Sequence, residues 1–119
     1  MIEVSIKEML DSVEALKKIG AATLPARAAF QVARIIRDVD IELKSFQTAR
    51  DKLVELYGEI GENGEIKIKK NEIETFNKEI QDLLDLKIQL NVAALPIEFF
   101  DDIELTPNDV LNLSVFIEE

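Results

Sequence analysis

The sequence contains no cysteine and no histidine. Without cysteine there is no disulfide and no thiolate chemistry, which fits a reducing cytoplasm. Histidine most often serves as general base and zinc ligand near neutral pH, so its absence excludes Ser-His triads, Cys-His dyads and zinc sites. The four glycines lie at predicted helix ends and turns, so no phosphate-binding glycine loop is available. We therefore expect a protein that is not an enzyme and that uses no metal ion or cofactor.

Long apolar runs are absent as well. The chain of 119 residues is 47% hydrophobic and 32% charged, a globular mixture with no membrane-length stretch. The first residues carry no basic segment followed by an apolar one, so we expect no secretion signal and no membrane association. The length is that of one typical domain. The sequence predicts a single domain over residues 1–119, located in the cytoplasm.

Charge is distributed unevenly along the chain, whose net charge is −10. Residues 1–70 contain 12 Lys or Arg and 12 acids, whereas residues 71–119 contain 2 and 12. Because a negative net charge repels the phosphate backbone, we do not expect nucleic acid as a partner. One stretch without any acid nevertheless contains five cations, which we call the basic corner: Lys17, Lys18, Arg27, Arg34 and Arg37.

Capping residues predict where the first two helices begin and end. Ser5 and Glu8 form a capping-box pattern, and Gly20 is a candidate left-handed stop. Pro25 suits the first turn of a second helix, with the Thr23 hydroxyl as a nearby cap, and no further proline or glycine occurs before Gly58. Residues 25–57 therefore read as one helix. The alternative is a break near residues 38–40 that folds the second half back.

The predicted long helix is the feature that most suggests a partner. At 1.5 Å per residue it is on the order of 50 Å long, whereas a compact domain of this size is roughly 35 Å across. The helix that begins at Pro25 and ends at Tyr57 would overhang its own domain. Its first half is also apolar on more than one face. We expect a homo-oligomer that packs through this helix.

The second half of the chain reads as short helices and strands. Asn63-Gly64 favours a tight type I′ hairpin turn followed by a strand over residues 66–69. Asn71 with Glu74 predicts a third helix that ends near Asp85, and alternating residues 86–92 predict another strand. Residues 96–104 read as a loop with a short strand, and Thr106-Pro107 predicts a last helix. We expect an α+β fold: an antiparallel helical pair with one long helix, a small antiparallel sheet and two shorter helices.

The strongest candidate site lies on the second helix. Arg27, Gln31 and Arg34 recur at i, i+4 and i+7 and form one polar stripe. Arg27 falls in the first turn, where free amides and the helix dipole favour anions. We expect Arg27 and Arg34 to bind phosphate and the aromatic ring of Phe30 or Tyr57 to provide a surface for stacking. The alternative is that these arginines pair with carboxylates of the same chain or of a second copy.

Acidic clusters give weaker signals. Residues 38–42 and 101–104 contain several carboxylates but lack the glycine and ligand spacing of a calcium loop, so a solvated helix face and a loop are the preferred interpretations. The carboxylates of residues 72–109 also allow a DNA-mimic interpretation, although many of them lie opposite apolar side chains on ordinary amphipathic faces.

Several short segments together resemble a family of small uncharacterised proteins of tailed phages and prophages of Gram-positive bacteria. The segments are Leu24-Pro25-Ala26, Phe46-Gln47-Thr48-Ala49-Arg50 with Leu53 to Gly58, Phe76-Asn77-Lys78-Glu79, Leu105-Thr106-Pro107-Asn108-Asp109 and Phe116-Ile117-Glu118-Glu119. They span nearly the whole chain, but they are packing and capping patterns, so the resemblance transfers no site.

The resemblance implies phage origin and therefore the host cell cytoplasm as location. Phage proteins of this size outside the virion are often accessories that act on the host, which is an analogy of context. We expect an anti-defence binding protein, a homo-oligomeric sponge that sequesters a phosphorylated nucleotide immune signal. The alternative is a protein-interaction module that inhibits a host protein or assists phage assembly.

Overall fold

The computed structural model describes residues 1–118. Four α-helices account for most of the chain: α1 (Ile6–Ala21), α2 (Ala26–Tyr57), α3 (Ile73–Leu84) and α4 (Pro107–Leu113). Six short strands accompany them: β1 (Ile2–Ser5), β2 (Gly58–Ile60), β3 (Ile66–Ile68), β4 (Lys87–Leu90), β5 (Leu95–Pro96) and β6 (Ile117–Glu118). Three 3₁₀ turns lie at Lys70–Glu72, Ile97–Phe100 and Ser114–Phe116. The predicted α+β class is confirmed.

The antiparallel pair of α1 and α2 is the centre of the fold. Ser5 Oγ accepts a hydrogen bond from the Glu8 N–H, and Glu8 Oε1 accepts one from the Ser5 N–H, both at 3.0 Å, so the predicted capping box is confirmed. Gly20 is not the left-handed stop, because α1 continues to Ala21 and the φ angle of Gly20 is not positive. A Cβ at Gly20 would lie 2.9 Å from Ile36 Cδ1. This glycine instead lets α1 and α2 approach closely.

Helix α2 is continuous over 32 residues, which corresponds to about 48 Å. The molecule measures 53 × 28 × 23 Å, so α2 spans nearly its whole long axis. The predicted long helix is confirmed, and the alternative break near residues 38–40 is wrong. Val39 is only 3% exposed and packs into the core at that point, and Asp40 pairs with Lys44 on the next turn at 3.1 Å. The predicted hydroxyl cap is missing, because within residues 1–118 no side chain caps α2 at Pro25.

The hydrophobic core lies at one end of α2. Residues 1–39 and 87–118, which we call the proximal half, contain all of the fully buried apolar side chains of the described chain. The largest of them are Phe116, Met9, Ile19, Ile35, Leu95 and Leu113. Residues 40–86 form the distal half, in which no described side chain is fully buried. The core extends only partly into the distal half, where Leu43, Phe46 and Leu84 are half-buried against it.

The strands form three separate two-stranded sheets rather than one. β1 and β4 pair antiparallel with Ile2 opposite Leu90, and β2 and β3 pair antiparallel with Ile60 opposite Ile66. β5 and β6 pair in parallel, with Leu95 opposite Ile117. The prediction did not include β1. Residues 86–92 therefore had no assigned partner in the sequence, and in the structure their strand pairs with the chain's N-terminal segment.

The β2–β3 hairpin is confirmed, but its turn type is not. A type I′ turn requires positive φ at both central residues, and within residues 1–118 only Gly64 has positive φ, at 76°. The Gly64 N–H donates to Gly61 O at 3.0 Å, and the Gly61 N–H donates to Glu65 O at 2.7 Å. The connection is therefore a three-residue loop closed by a left-handed glycine.

Only one of the two later helix starts follows its predicted cap. α4 begins with the confirmed Thr106 N-cap and Pro107, and the Asp109 carboxylate completes a capping box by accepting from the Thr106 N–H at 3.0 Å. The Asn71 and Glu74 cap is wrong. A 3₁₀ turn precedes α3, and among the described residues no side chain caps its first amides. α3 ends at Leu84 with Asp85 as its cap, as predicted.

No helix within residues 1–118 is both long enough and apolar enough to span a bilayer.

We predict that Gly58→Ala destabilises the distal half. A Cβ at Gly58 would lie 2.3 Å from the backbone oxygen of Val54 and 2.8 Å from Ile66 Cγ2. Overpacking of this kind costs about 1–3 kcal/mol, so the urea midpoint should fall. Tyr57 is the only tyrosine and there is no tryptophan, so intrinsic fluorescence reports on this region.

The matched control is Gly61→Ala in the same hairpin, where the new Cβ would be 3.4 Å from Glu65 O. We expect its free energy of unfolding to stay within about 0.5 kcal/mol of the wild-type value. Equal midpoints for the Gly58→Ala variant and the wild type would contradict the close packing of β2 on the last turn of α2.

Candidate functional site

Three cations of the basic corner are paired with carboxylates. Lys17 Nζ lies 3.6 Å from Glu14, Lys18 Nζ lies 2.6 Å from Asp109, and Arg37 Nε lies 3.4 Å from Asp38. These three positive charges are therefore paired within the same chain. The Lys18–Asp109 pair also ties α1 to α4 across 91 residues of sequence.

Arg27 and Arg34 differ from the other three, because neither forms a salt bridge within residues 1–118. The Arg34 guanidinium is nevertheless held in place. Its Nη2 donates a hydrogen bond to the backbone oxygen of Asn91 at 3.1 Å, and its Cζ lies 5.9 Å from the centre of the Phe30 ring. Arg34 therefore presents a positioned positive charge that the described chain does not neutralise.

The two arginines line a single shallow pocket of about 160 Å³. Phe30 and Gln31 complete its wall on α2, and Val92 and Ala93 form the opposite wall. Pockets for whole small molecules usually measure about 300–1,000 Å³. One copy of the chain therefore offers room for a single phosphate or carboxylate group rather than for a whole nucleotide.

The start of α2 adds to the positive character of this pocket. α2 begins at Ala26, one residue before Arg27, and no side chain of the described residues caps its first amides. Its first turn also contains no acid. Unpaired amides and the helix dipole at such an end favour a bound anion. The predicted first-turn position of Arg27 is confirmed.

Gln31 contributes an unsatisfied polar atom. Its Oε1 is buried and has no hydrogen-bond partner among residues 1–118. A buried acceptor of this kind normally has a partner in the protein or in ordered water. Rotation of the amide by 180° would exchange this acceptor for the Nε2 donor. Either orientation leaves one hydrogen-bonding group that the described chain does not satisfy.

Tyr57 does not belong to this pocket. It lies 30 residues further along α2 than Arg27, a separation of about 45 Å. Its ring packs edge-to-face on Phe76, with centres 6.4 Å apart and planes at 77°. Hydrogen bonding to the Glu79 carboxylate, reinforced by desolvation, raises the pKa of the Tyr57 hydroxyl. The structure thus brings together Arg27, Phe30, Gln31 and Arg34 and places Tyr57 in the distal half.

The opposite wall of the pocket was not part of the sequence prediction. Residues 91–93 follow β4, and Val92 is buried there as the alternation of residues 86–92 indicates. That alternation showed that Val92 would face inward. Only the pairing of β4 with β1, which is set by a distant segment, decides that Ala93 meets α2.

The acidic clusters do not form a metal site in the described chain. Asp38 pairs with Arg37 and Asp40 pairs with Lys44. Residues 97–100 form a 3₁₀ turn that leads into the second cluster, where Asp101 and Asp102 are exposed. Among residues 1–118, no group of three or more carboxylate side chains is placed to hold a metal ion.

Comparison of the chain with models of known protein families, with curated proteins and with solved structures finds no match.

The Lys18–Asp109 pair predicts a specific dependence of stability on pH. Hydrogen bonds from Lys18 and from the Thr106 N–H lower the pKa of Asp109 below its ordinary value of 3.8. Because the folded-state pKa is the lower one, the ionised carboxylate stabilises the fold above the unfolded value, and this contribution is lost as the pH falls through the folded-state pKa. We expect Asp109→Asn to lower the thermal midpoint at neutral pH. The gap to the wild type should narrow below pH 3.8.

Asp101→Asn is the matched control, since Asp101 is exposed and forms no salt bridge within residues 1–118. Its thermal midpoint should follow the wild type throughout the titration. A gap between the wild type and Asp109→Asn that stays constant with pH would contradict the ion pair as its cause.

Proposed function

We propose that this protein is a non-catalytic binding protein that works as a homo-oligomer and holds a phosphate group of a small ligand at the Arg27–Arg34 pocket. The observation that carries the proposal is the pair of guanidinium groups without a carboxylate partner in residues 1–118, beside an uncapped helix start. The chain has a net charge of −10, so carboxylates are plentiful. An external anion is the natural partner for the two arginines.

The chemistry of the pocket favours phosphate. A guanidinium presents two parallel N–H groups to phosphate oxygens, and such charge-assisted hydrogen bonds are about twice as strong as neutral ones. Arg34 is already oriented by Asn91 and Phe30, which reduces the entropy lost when the ligand binds. The Phe30 ring is 65% exposed and offers a flat surface next to the phosphate position. A base could stack there outside the pocket itself.

The size of the pocket is consistent with oligomerisation. Its volume of about 160 Å³ accommodates one anionic group, so the rest of a nucleotide would lie over Phe30 or against a second copy of the chain. In its finer form, the proposal is a phage accessory that sequesters a phosphorylated nucleotide immune signal of the host. The support for phage origin is the resemblance of the sequence segments to that phage family.

The second candidate function is a protein-interaction module that inhibits a host protein or assists phage assembly. It is favoured by the distal half, which has no fully buried side chain among its residues but exposes large apolar ones such as Leu56 and Ile60. A stoichiometric host or virion protein recovered by affinity pull-down with both the wild type and Arg27→Gln would favour this candidate, because the basic pocket would then be dispensable.

We expect calorimetry to detect binding of at least one member of a panel of inorganic phosphate, cyclic dinucleotides and ADP-ribose nucleotides at about 50 µM protein, which suits micromolar affinity. Arg27→Gln should weaken that binding about tenfold or more, since a hydrogen bond to a charged group contributes roughly 1.5–3 kcal/mol. Arg27 is exposed and forms no salt bridge in the described chain, so its replacement should leave the fold intact.

Arg50→Gln is the matched control, because it removes the same charge from the same helix far from the pocket. Its affinity should equal that of the wild type. The absence of heat with every member of the panel, or equal affinities for Arg27→Gln and Arg50→Gln, would overturn the proposal.

A further inference from the structure

A second surface feature lies in the distal half, between α2 and α3. Ala49, Lys52 and Leu53 line it on α2, and Glu79, Asp82 and Leu83 line it on α3. We call this feature the distal groove. Its volume is about 320 Å³ and its floor is mainly apolar. It is open along its length, so it suits a helix or a pair of helices better than an enclosed small molecule.

The two rims of the distal groove carry opposite charges. Lys52 lies on the α2 side, whereas Glu79 and Asp82 lie on the α3 side. None of these three forms a salt bridge within residues 1–118, although other charged pairs on α2 do. Glu79 Oε2 is in addition buried without a hydrogen-bond partner among the described residues. Because the Glu79 carboxylate also interacts with the Tyr57 hydroxyl, Lys52 and Asp82 are the opposite charges that remain available to a partner.

Apolar side chains around the groove are exposed to solvent. No described side chain of the distal half is fully buried, and the hairpin exposes Ile60 and Ile66 directly opposite each other. Ile60 is 79% exposed and Leu56, near the end of α2, is 64% exposed. Exposed apolar surface of this kind on one end of a small protein commonly marks an interaction site.

We propose that the distal groove binds the distal groove of a second copy of this chain, so that two α2–α3 pairs pack as a four-helix bundle. The arrangement of charge selects this occupant. A two-fold interface joins the same patch of both copies, and with the axis parallel to the groove Lys52 of each copy faces the acidic α3 rim, with Asp82, of the other. An axis across the groove would instead place like charges opposite one another. The inference rests on the proposal that the protein is a homo-oligomer and identifies the contact surface.

A charge-exchange experiment tests this pairing. The wild type should have the mass of a dimer in sedimentation equilibrium. Lys52→Glu and Asp82→Lys should each dimerise at least tenfold more weakly, because each places like charges opposite one another at both symmetric contacts. An equimolar mixture of the two variants should recover dimers, since both contacts then join opposite charges. Repulsion within one chain could not be relieved by mixing.

The matched control is Lys44→Glu, which reverses a charge on α2 outside the groove and should dimerise like the wild type. A wild type that stays monomeric would contradict both the homo-oligomer and the groove. If the wild type dimerises but Lys52→Glu, Asp82→Lys and their mixture all dimerise with the same affinity, the result would contradict the groove alone. The protein would then oligomerise through another surface.

A second pair of variants applies if the charge reversals fail to fold. The chain contains no cysteine, so Lys52→Cys and Asp82→Cys each introduce a single thiol. Under mild oxidation, a mixture of the two variants should form an interchain disulfide in higher yield than either variant alone, as seen on a non-reducing gel. Equal yields in all three samples would overturn the proposed pairing.

Discussion

The continuity of α2 is the constraint on which the rest of the structure depends. No proline or glycine interrupts the chain between Pro25 and Gly58, and Val39 still packs into the core midway along the helix. The helix therefore extends beyond the core of its own domain. The proximal half folds around its first part with two small sheets, α1 and α4, whereas the distal half consists of a hairpin and α3 placed against its second part. Hydrophobic burial, the dominant source of stability, is concentrated at one end.

The same helix separates the two surfaces proposed for binding. At its start, the Arg27–Arg34 pocket combines two unpaired guanidinium groups with the uncapped amides of the first turn. Near its other end, the distal groove offers an apolar floor with Lys52 on one rim and carboxylates on the other. A dimer joined through the distal groove would leave both basic pockets free. The rigid connection through α2 would then set the distance between two copies of the ligand site.

The features that were predictable from the sequence depend on neighbouring residues, although several local predictions, such as the Gly20 stop and the type I′ turn, were wrong. Features that depend on distant residues were not predictable. The capping box at Ser5 and the N-cap at Thr106 are confirmed because each involves residues three apart. The pairing of β1 with β4 and the Lys18–Asp109 ion pair join segments more than 80 residues apart, which no local pattern specifies. The stripe of Arg27, Gln31 and Arg34 followed from helical periodicity. Its opposite wall, Val92 and Ala93, followed only from the sheet.

Amide hydrogen exchange at several protein concentrations tests the central claim, that α2 joins a half with its own core to a half that needs a partner. Exchange reports local opening, which is easier where few side chains are buried. Protection of α1 and α4 should be independent of concentration, whereas protection of the β2–β3 hairpin and α3 should be low in dilute solution and rise as the protein associates. Equal protection of both halves at every concentration would contradict the account.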